Sequence, residues 1–301
     1  MSKSMGDIKE ILLIVNPISG DIDKQHMIDE LKAIIEDTGV ELFIYYTKGE
    51  KDLENIKRMA EERKPWRIIA AGGDGTIKMV AEATKGFKIP MGIIPSGSAN
   101  ALALNLNIPE SLEEQIDVAL GNTFLDIDLI CLNDEIGLHM SDLGINAELI
   151  RNYEESSFRG KFGYLLQTVP TLIKSKYPYT FTIETEGETI TEEGILLAFA
   201  NAKKYGTGAN VNPNGKLNDG IMEILIFKDF DLMEMLKTLR NEAALSKDFI
   251  RIIPVKKATV TSPHPVPFQI DGEYRGERTK IEVNMLPEKA RIAVPETLKN
   301  N

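Results

Sequence analysis

Over the first 120 residues the apolar positions alternate between two periods. Residues 11–15 (Ile-Leu-Leu-Ile-Val) form a short unbroken apolar run, after which Met27, Ile28, Leu31, Ile34 and Ile35 recur at helical spacing. Residues 40–46 are β-branched and aromatic, as strands prefer, and Leu53, Ile56 and Ala60 mark a second helical face. A third apolar strand is expected over 67–71, a helix through Met79 and Val80, a strand over 91–94 and a helix after Ser98. Ser111-Leu-Glu-Glu114 fits a capping box that opens one more helix. Strands that are apolar throughout, alternating with helices, predict a parallel sheet covered on both faces.

From about Phe124 onward the pattern changes, and strand-like runs follow one another at 124–131, 135–141, 179–185, 188–199, 221–228, 256–261, 267–271 and 279–284. Gly, Pro, Asn and Asp clusters separate many of them, which predicts antiparallel pairing in a β-sandwich-like domain. Two helices interrupt the runs. One lies within 157–175 and should kink or break at Pro170. The other opens at Asp231, with Glu234 three residues on, and carries Leu232, Met235, Leu236 and Leu239 on one face. The expected organisation is an α/β domain over 1–123 and a β-rich domain over 124–285. The boundary lacks a Pro/Gly/Ser linker, so a firm shared interface is expected, and a cleft there is the default ligand site.

A length of 301 residues is consistent with two domains or one large one. Lys and Arg number 35 against 46 Asp and Glu, a net charge of −11 that argues against wrapping a nucleic-acid backbone. Cys131 has no second cysteine to pair with, and His26, His139 and His264 are scattered too widely to suggest a zinc site. The early apolar run is too short for a signal-peptide core and ends at Asn16-Pro17. No stretch approaches the roughly 18 apolar residues of a membrane span. The expectation is an acidic cytoplasmic protein.

The strongest local signal is Ala71-Gly72-Gly73-Asp74-Gly75-Thr76, directly between a predicted strand and a predicted helix. Glycines let a ligand approach the backbone, and the free N–H groups of the helix start suit phosphate. Asp74 would repel a bare phosphate, so it fits beside Mg²⁺ or as an acceptor for a ribose or substrate hydroxyl. The Walker A lysine and the Gly-x-Gly-x-x-Gly fingerprint are both missing. A plain strand-to-helix turn is the alternative. One βα unit later, Pro95-Ser96-Gly97-Ser98-Ala99-Asn100 would share the same rim, with the Ser98 hydroxyl and Asn100 amide as donors; taken alone it reads as an N-cap. Asn16, in Asn16-Pro17-Ile18-Ser19-Gly20, and Thr47 fall on that rim as weaker signals. Further on stand Pro213-Asn-Gly-Lys-Leu-Asn-Asp219-Gly220 and Phe268-Gln-Ile-Asp271-Gly272-Glu273. Asp-Gly between apolar runs is first of all a hairpin turn; a carboxylate pair at a strand end could also supply a general base and a metal ligand.

Taken together and in this order, the two glycine loops, Leu217-Asn-Asp219-Gly220 and Asp271-Gly272-Glu273 resemble the diacylglycerol-kinase catalytic family, which includes bacterial lipid kinases and sphingosine and ceramide kinases. The resemblance spans roughly residues 9–295. It implies a nucleotide-binding α/β domain of the phosphofructokinase and NAD-kinase type, a β-rich lipid domain, and a carboxyl-terminal segment, 286–301, returning to the first. It implies ATP contacts from Thr47, Gly72, Gly73, Asp74, Gly75, Thr76, Ile77, Lys78 and Ser98, to which the rim position of Asn16 and Asn100 adds these two as candidate ATP-binding residues. Glu273 would accept the proton of the lipid hydroxyl, with Asp74 either a base or part of the network around the nucleotide Mg²⁺. Asp219 would bind a second, structural Mg²⁺ together with the backbone carbonyls of Lys216 and Ile221. Many bacterial diacylglycerol kinases continue the second loop with Asn-Asp; here Asn100-Ala101-Leu102-Ala103 is more like the sphingosine and ceramide kinase branch.

A lipid substrate implies peripheral attachment to a membrane surface. Between Ser156 and Ile183 there is no acidic residue, while Arg159, Lys161, Lys174 and Lys176 flank Phe162, Tyr164, Leu165, Leu166, Leu172 and Ile173. That segment suits anionic headgroups, or else is a helix buried against the sheet with solvated ends. The alternatives for function are a soluble-metabolite kinase of the NAD-kinase or phosphofructokinase type and a nucleotide-binding module without turnover. Oligomeric state is left open, a homodimer included.

Overall fold

The computed structural model describes residues 9–20, 23–154, 178–205, 208–229, 231, 234, 237, 238 and 245–299. The chain forms two compact units, Met1–Ile127 with Glu288–Asn301, and Asp128–Pro287.

In the first unit β1 (Glu10–Val15), β2 (Glu41–Tyr46), β3 (Arg67–Gly72) and β4 (Met91–Pro95) lie parallel in the order β2-β1-β3-β4. The helices are α1 (Lys24–Ile35), α2 (Asp52–Arg63), α3 (Asp74–Thr84), α4 (Ala101–Asn105) and α5 (Leu112–Leu120). Alternate strand residues Ile11, Leu13, Val15, Ile69, Ala71 and Ile94 pack on Met27 and Leu31 of α1 and Ile116 and Ala119 of α5. Their neighbours Leu12, Ile14, Ile68 and Ala70 are buried as well, which is why these strands are apolar at every position. Each such Ile, Leu or Val side chain stabilises the fold by about 1.5–3 kcal/mol. Two caps start helices, the second as the pattern predicts. The Asp23 carboxylate accepts the N–H groups of Gln25 and His26, and the Ser111 hydroxyl accepts that of Glu114.

Arg67, placed in an apolar strand by its neighbours, has no exposed surface. Its guanidinium donates to the carbonyls of Ala119 (2.6 Å) and Gly121 (3.0 Å) at the carboxyl end of α5, and lies against the rings of Trp66 and Phe124. Burial pulls its pKa down to about 10, so it is charged at neutral pH and complements the negative end of the helix. The final stretch of the chain joins this unit: Ile292 pairs parallel with Met91, the Val294 N–H bonds the Thr123 carbonyl, and α7 (Glu296–Lys299) follows.

The second unit is antiparallel. Between β5 (Phe124–Leu132), whose first residues belong to the first unit, and β16 (Glu273–Ala293), whose last residues do, it holds β6 (Glu135–Gly137), β7 (Met140–Gly144), α6 (Ile145–Glu154), β8 (Tyr179–Thr185), β9 (Thr189–Gly194), β10 (Leu196–Ala200), β13 (Met222–Phe227), β14 (Ile250–Val255) and β15 (Lys257–Ile270). Strand order runs β14-β13-β10-β7-β15-β16, with β8 and β9 added alongside β15. A two-residue ribbon, β11 (Lys204–Tyr205) with β12 (Ala209–Asn210), stands apart. Leu197, Phe199, Ile224, Ile226 and Phe268 enter one core, while Ala198, Ala200, Leu225 and Phe227 enter another with Ile145 and Phe249. Period-two alternation thus feeds two apolar layers, the sandwich-like arrangement the strand runs predict.

Four expectations need correction. The run 135–141 is broken at Leu138-His139, and 188–199 is broken at Ile195, whose N–H turns to the Phe227 carbonyl. Conversely 256–261 and 267–271 belong to one strand, β15, with a register shift between Thr261 and Val266 where Pro263 and Pro265 have no N–H for the ladder. β14 has no counterpart among the expected runs, because Arg251 and Pro254 disguise it; it ends the strand order, where an edge position tolerates proline. The expected helix within 157–175, and Leu232, Met235, Leu236 and Leu239 of the later one, lie outside the described residues. Of the latter helix, Glu234 donates its N–H to the Asp231 carboxylate (3.1 Å), as a cap does.

Candidate active site

In the first unit, parallel β1, β3 and β4 bring their carboxyl ends to one rim, and three loops interlock there. The Asn16 N–H bonds the Ala71 carbonyl and the Ser96 N–H bonds the Gly72 carbonyl, both at 2.9 Å. The Asn16 amide donates to the Thr76 hydroxyl (3.1 Å), and the hydroxyls of Ser19 and Ser96 are 2.9 Å apart. Glycine is required by space. A Cβ on Gly97 would stand 2.6 Å from the Gly73 Cα, and one on Gly72 would meet the Thr76 side chain at 2.4 Å. Gly20, not singled out from sequence beyond its turn dipeptide, has φ +53° and would collide with the Ser96 carbonyl oxygen. Gly73 opens α3 in extended conformation with no side-chain cap; the Thr76 N–H turns back to the Gly73 carbonyl (3.0 Å), so the N–H groups of Asp74 and Gly75 are the ones that face a ligand.

The structure redistributes the roles expected of this rim. Both oxygens of Asp74 accept backbone N–H groups, from Ala101 (3.0 Å) and Leu102 (3.1 Å), so its carboxylate caps α4. Asn100 sits at φ +51° and closes on its own loop, accepting the Gly97 N–H (2.8 Å) and donating to the Gly97 carbonyl (2.9 Å). Its amide shapes the loop instead of pointing outward as a donor. Ser98 is exposed at the loop tip and Gly75 is half-buried. Ile77 is a core side chain and Lys78 is buried within α3. Thr47 is half-buried and continues the ladder through the Val15 carbonyl (2.9 Å). The turn after it is held by Asp52, which sequence reasoning missed. Asp52 accepts the Tyr45 hydroxyl (2.6 Å) and the N–H groups of Lys48 and Gly49 (3.0 and 2.7 Å). Burial pushes its pKa up, but these bonds outweigh burial and hold it below the ordinary carboxylate range.

In the second unit, Asp271 and Gly272, at φ +49° and +88°, form a two-residue turn between Ile270 and Glu273, which pair directly. The Asp-Gly is therefore a hairpin turn of the primed kind. Asp271 is buried and accepts the N–H groups of Leu138 (2.8 Å), His139 (3.0 Å) and Met140 (3.2 Å), with His139 Nδ1 at 2.7 Å. It breaks the 135–141 run and holds the turn. Glu273 starts the next strand with 42 % of its side chain exposed and pairs with Arg275, which also donates to Glu135 (2.7 Å). Burial lowers the Arg275 pKa, yet the two carboxylates prevail and raise it.

Asp219 is exposed in a turn where its carboxylate accepts the Ile221 N–H (3.1 Å). Asp128, buried and missed from sequence, fixes this turn: its N–H donates to the Leu217 carbonyl (2.7 Å) and its carboxylate accepts the Gly220 N–H (2.6 Å). Lys216 is exposed and Ile221 half-buried on either side. Among the described residues no three His, Cys, Asp or Glu side chains cluster to hold a metal. A cation at Asp219 would rest on one carboxylate, backbone carbonyls and water, an all-oxygen set that suits Mg²⁺. Glu223 has its pKa raised by burial and by the negative charge of Asp219, against the Asn212 amide that lowers it.

Residues 10–132 match the model of the diacylglycerol kinase catalytic domain, and residues 140–294 match that of the YegS C-terminal NAD kinase beta sandwich-like domain. The chain is 27 % identical over 302 residues to a protein of Escherichia fergusonii named probable lipid kinase YegS, covering 97 % of this chain and 98 % of that one. A protein of the same name from Salmonella arizonae is 26 % identical over 301 residues, again covering 97 % and 98 %. Among solved structures, a diacylglycerol kinase from Bacillus anthracis superposes with a TM-score of 0.73 at 18 % identity, covering 97 % of this chain and 99 % of that one. An NAD kinase from Archaeoglobus fulgidus in complex with ATP gives 0.56 at 12 %, covering 96 % and 94 %. These two similarities concern fold alone.

Proposed function

We propose that this chain, which belongs to the family of the YegS C-terminal NAD kinase beta sandwich-like domain and matches the diacylglycerol kinase catalytic domain over residues 10–132, is a lipid kinase that transfers the γ-phosphoryl group of ATP to a lipid hydroxyl at a membrane surface. The observation that carries the reading is the glycine-to-glycine approach of the Gly73 and Gly97 loops beside the uncapped start of α3. Backbone N–H groups there offer a sequence of donors to phosphate oxygens, with no side chain between.

Phosphoryl transfer needs an in-line hydroxyl, compensated charge and a proton acceptor. The lipid oxygen forms the new P–O bond as the bond from the γ-phosphorus to the bridging oxygen breaks, and ADP departs. The hydroxyl proton goes to the Glu273 carboxylate. Of the acidic residues singled out in these loops, Glu273 suits that role, because Asp271 is saturated by backbone donors and Asp74 is occupied as a cap. Asp271 and Gly272 orient Glu273, and Arg275 restrains its side chain. Mg²⁺ bound with ATP would neutralise phosphate charge, and a second Mg²⁺ would be held by Asp219 with the carbonyls of Lys216 and Ile221. Incubation with labelled ATP, Mg²⁺ and a total lipid extract tests the reading. A labelled lipid product is expected; labelled NADP or fructose bisphosphate in parallel incubations, with no labelled lipid, would replace it by the soluble-metabolite alternative.

A further inference from the structure

Gln269 and Asp142 stand directly opposite one another on β15 and β7 and share one face of the sheet. Asp142 has no exposed surface. Three side-chain donors converge on its carboxylate, the Gln269 amide, the Tyr205 hydroxyl and, at 2.8 Å, the Asn146 amide of α6, and the backbone N–H of Ala147 bonds it as well. The other end of the Gln269 amide, Oε1, accepts the N–H of Gly272 at 2.6 Å. A carboxylate that only accepts can take the NH₂ end of Gln269 and no other, which leaves the carbonyl end for Gly272.

We propose that Asp142 is a positioning residue, which through the orientation of Gln269 locks the Gly272 amide and so the turn that presents Glu273. The inference rests on the kinase reading above for its effect on turnover, but not for its effect on the turn. The Asp271 carboxylate anchors one side of the turn to residues 138–140, and the Gln269–Gly272 bond anchors the other. An asparagine at 142 could offer either end of its amide and would free Gln269 to rotate. The groups facing Asp142 are Ala198 from β10, Gln269 from β15, Asn146 and the Ala147 N–H from α6, and the Tyr205 hydroxyl from β11; none of them is a carboxylate, lysine, arginine or histidine. Burial raises the Asp142 pKa to about 6, so the locked form prevails above that pH.

The test compares the full chain with Asp142→Asn, Gln269→Leu and the double variant. In ¹⁵N-glycine-labelled protein, the Gly272 amide should exchange about tenfold faster in each single variant, the equivalent of one lost hydrogen bond. kcat for lipid phosphorylation should fall about tenfold with KM for ATP unchanged, and the double variant should be no worse than Gln269→Leu. The parent should lose turnover as pH falls through about 6, a limb that Asp142→Asn lacks. Asp142→Asn should melt no lower than the parent at pH 8, which separates positioning from mere support. Unchanged Gly272 protection in Gln269→Leu, or losses that multiply in the double variant, would overturn the proposal. A parent that labels no lipid while Gly272 exchange still responds would retain the lock and remove the kinase reading.

Discussion

Replacing Gly97 by alanine probes the close approach on which nucleotide binding is argued to depend. The added Cβ would lie 2.6 Å from the Gly73 Cα and 3.0 Å from the Asn100 Oδ1. Carbon atoms pack best at about 3.5–4.0 Å, so the two loops must part by roughly 1 Å. Both contacts are with groups that cannot swing away cheaply, since Gly73 is backbone and the Asn100 amide is bonded to Gly97 itself. Overpacking of this kind costs about 1–3 kcal/mol. Parted loops also no longer present their N–H groups to the same phosphate oxygens. If about 1.4 kcal/mol of this falls on the bound state, Kd for ATP rises about tenfold. Titration calorimetry with a non-hydrolysable ATP analogue and Mg²⁺ reads the effect directly. Gly187→Ala is the control, because a Cβ there meets nothing within 4 Å. A Gly97→Ala protein that binds the analogue as the parent does, within about twofold, would refute the reasoning.

Asp271→Ala leaves three N–H groups without their buried acceptor and should lower stability by about 3 kcal/mol or more, measured by urea unfolding with unchanged slope. Asp142 acts in the opposite sense. Its pKa is raised from 3.8 to about 6, so the folded state gains stability below the unfolded value and loses it as pH rises through about 6. Its ionisation costs about 3 kcal/mol at pH 8, and Asp142→Asn should flatten that part of the stability profile. A parent whose melting temperature rises between pH 5 and 8 while that of Asp142→Asn follows it would contradict this sign. Asp219→Ala should abolish the part of thermal stability that Mg²⁺ adds and chelator removes; an identical response to chelator in both proteins would argue against a cation there.

The parts of this fold legible in the sequence are those set by local pattern. Runs such as 11–15 and 67–71 announce strands buried on both faces, and Gly72-Gly73 and Gly97 announce where backbone must come close. Long-range partners are not written in any window. Asp74 reads as a ligand beside glycines, and only the fold brings Ala101 and Leu102 to its oxygens. Asp128, 92 residues from Gly220, and Gln269, 127 from Asp142, carry no local signal at all. Arg67 is hidden in the same way, since its partners are carbonyls exposed only because α5 ends there. Asp52 could have been found: an acidic residue in the first turn of a predicted helix, just after Lys48-Gly49, is where the helix dipole favours negative charge. His139 and Asp271 together explain a broken strand that hydropathy shows as continuous.

The most direct measurement replaces Glu273 by glutamine, which keeps the size and the turn but removes the proton acceptor, and follows labelled γ-phosphate from ATP into lipid. The account predicts that Glu273→Gln binds the ATP analogue like the parent, melts like the parent, and transfers label about 10²–10⁴-fold more slowly, the usual contribution of general base catalysis. Lipid labelling by Glu273→Gln at nearly the parental rate would contradict it.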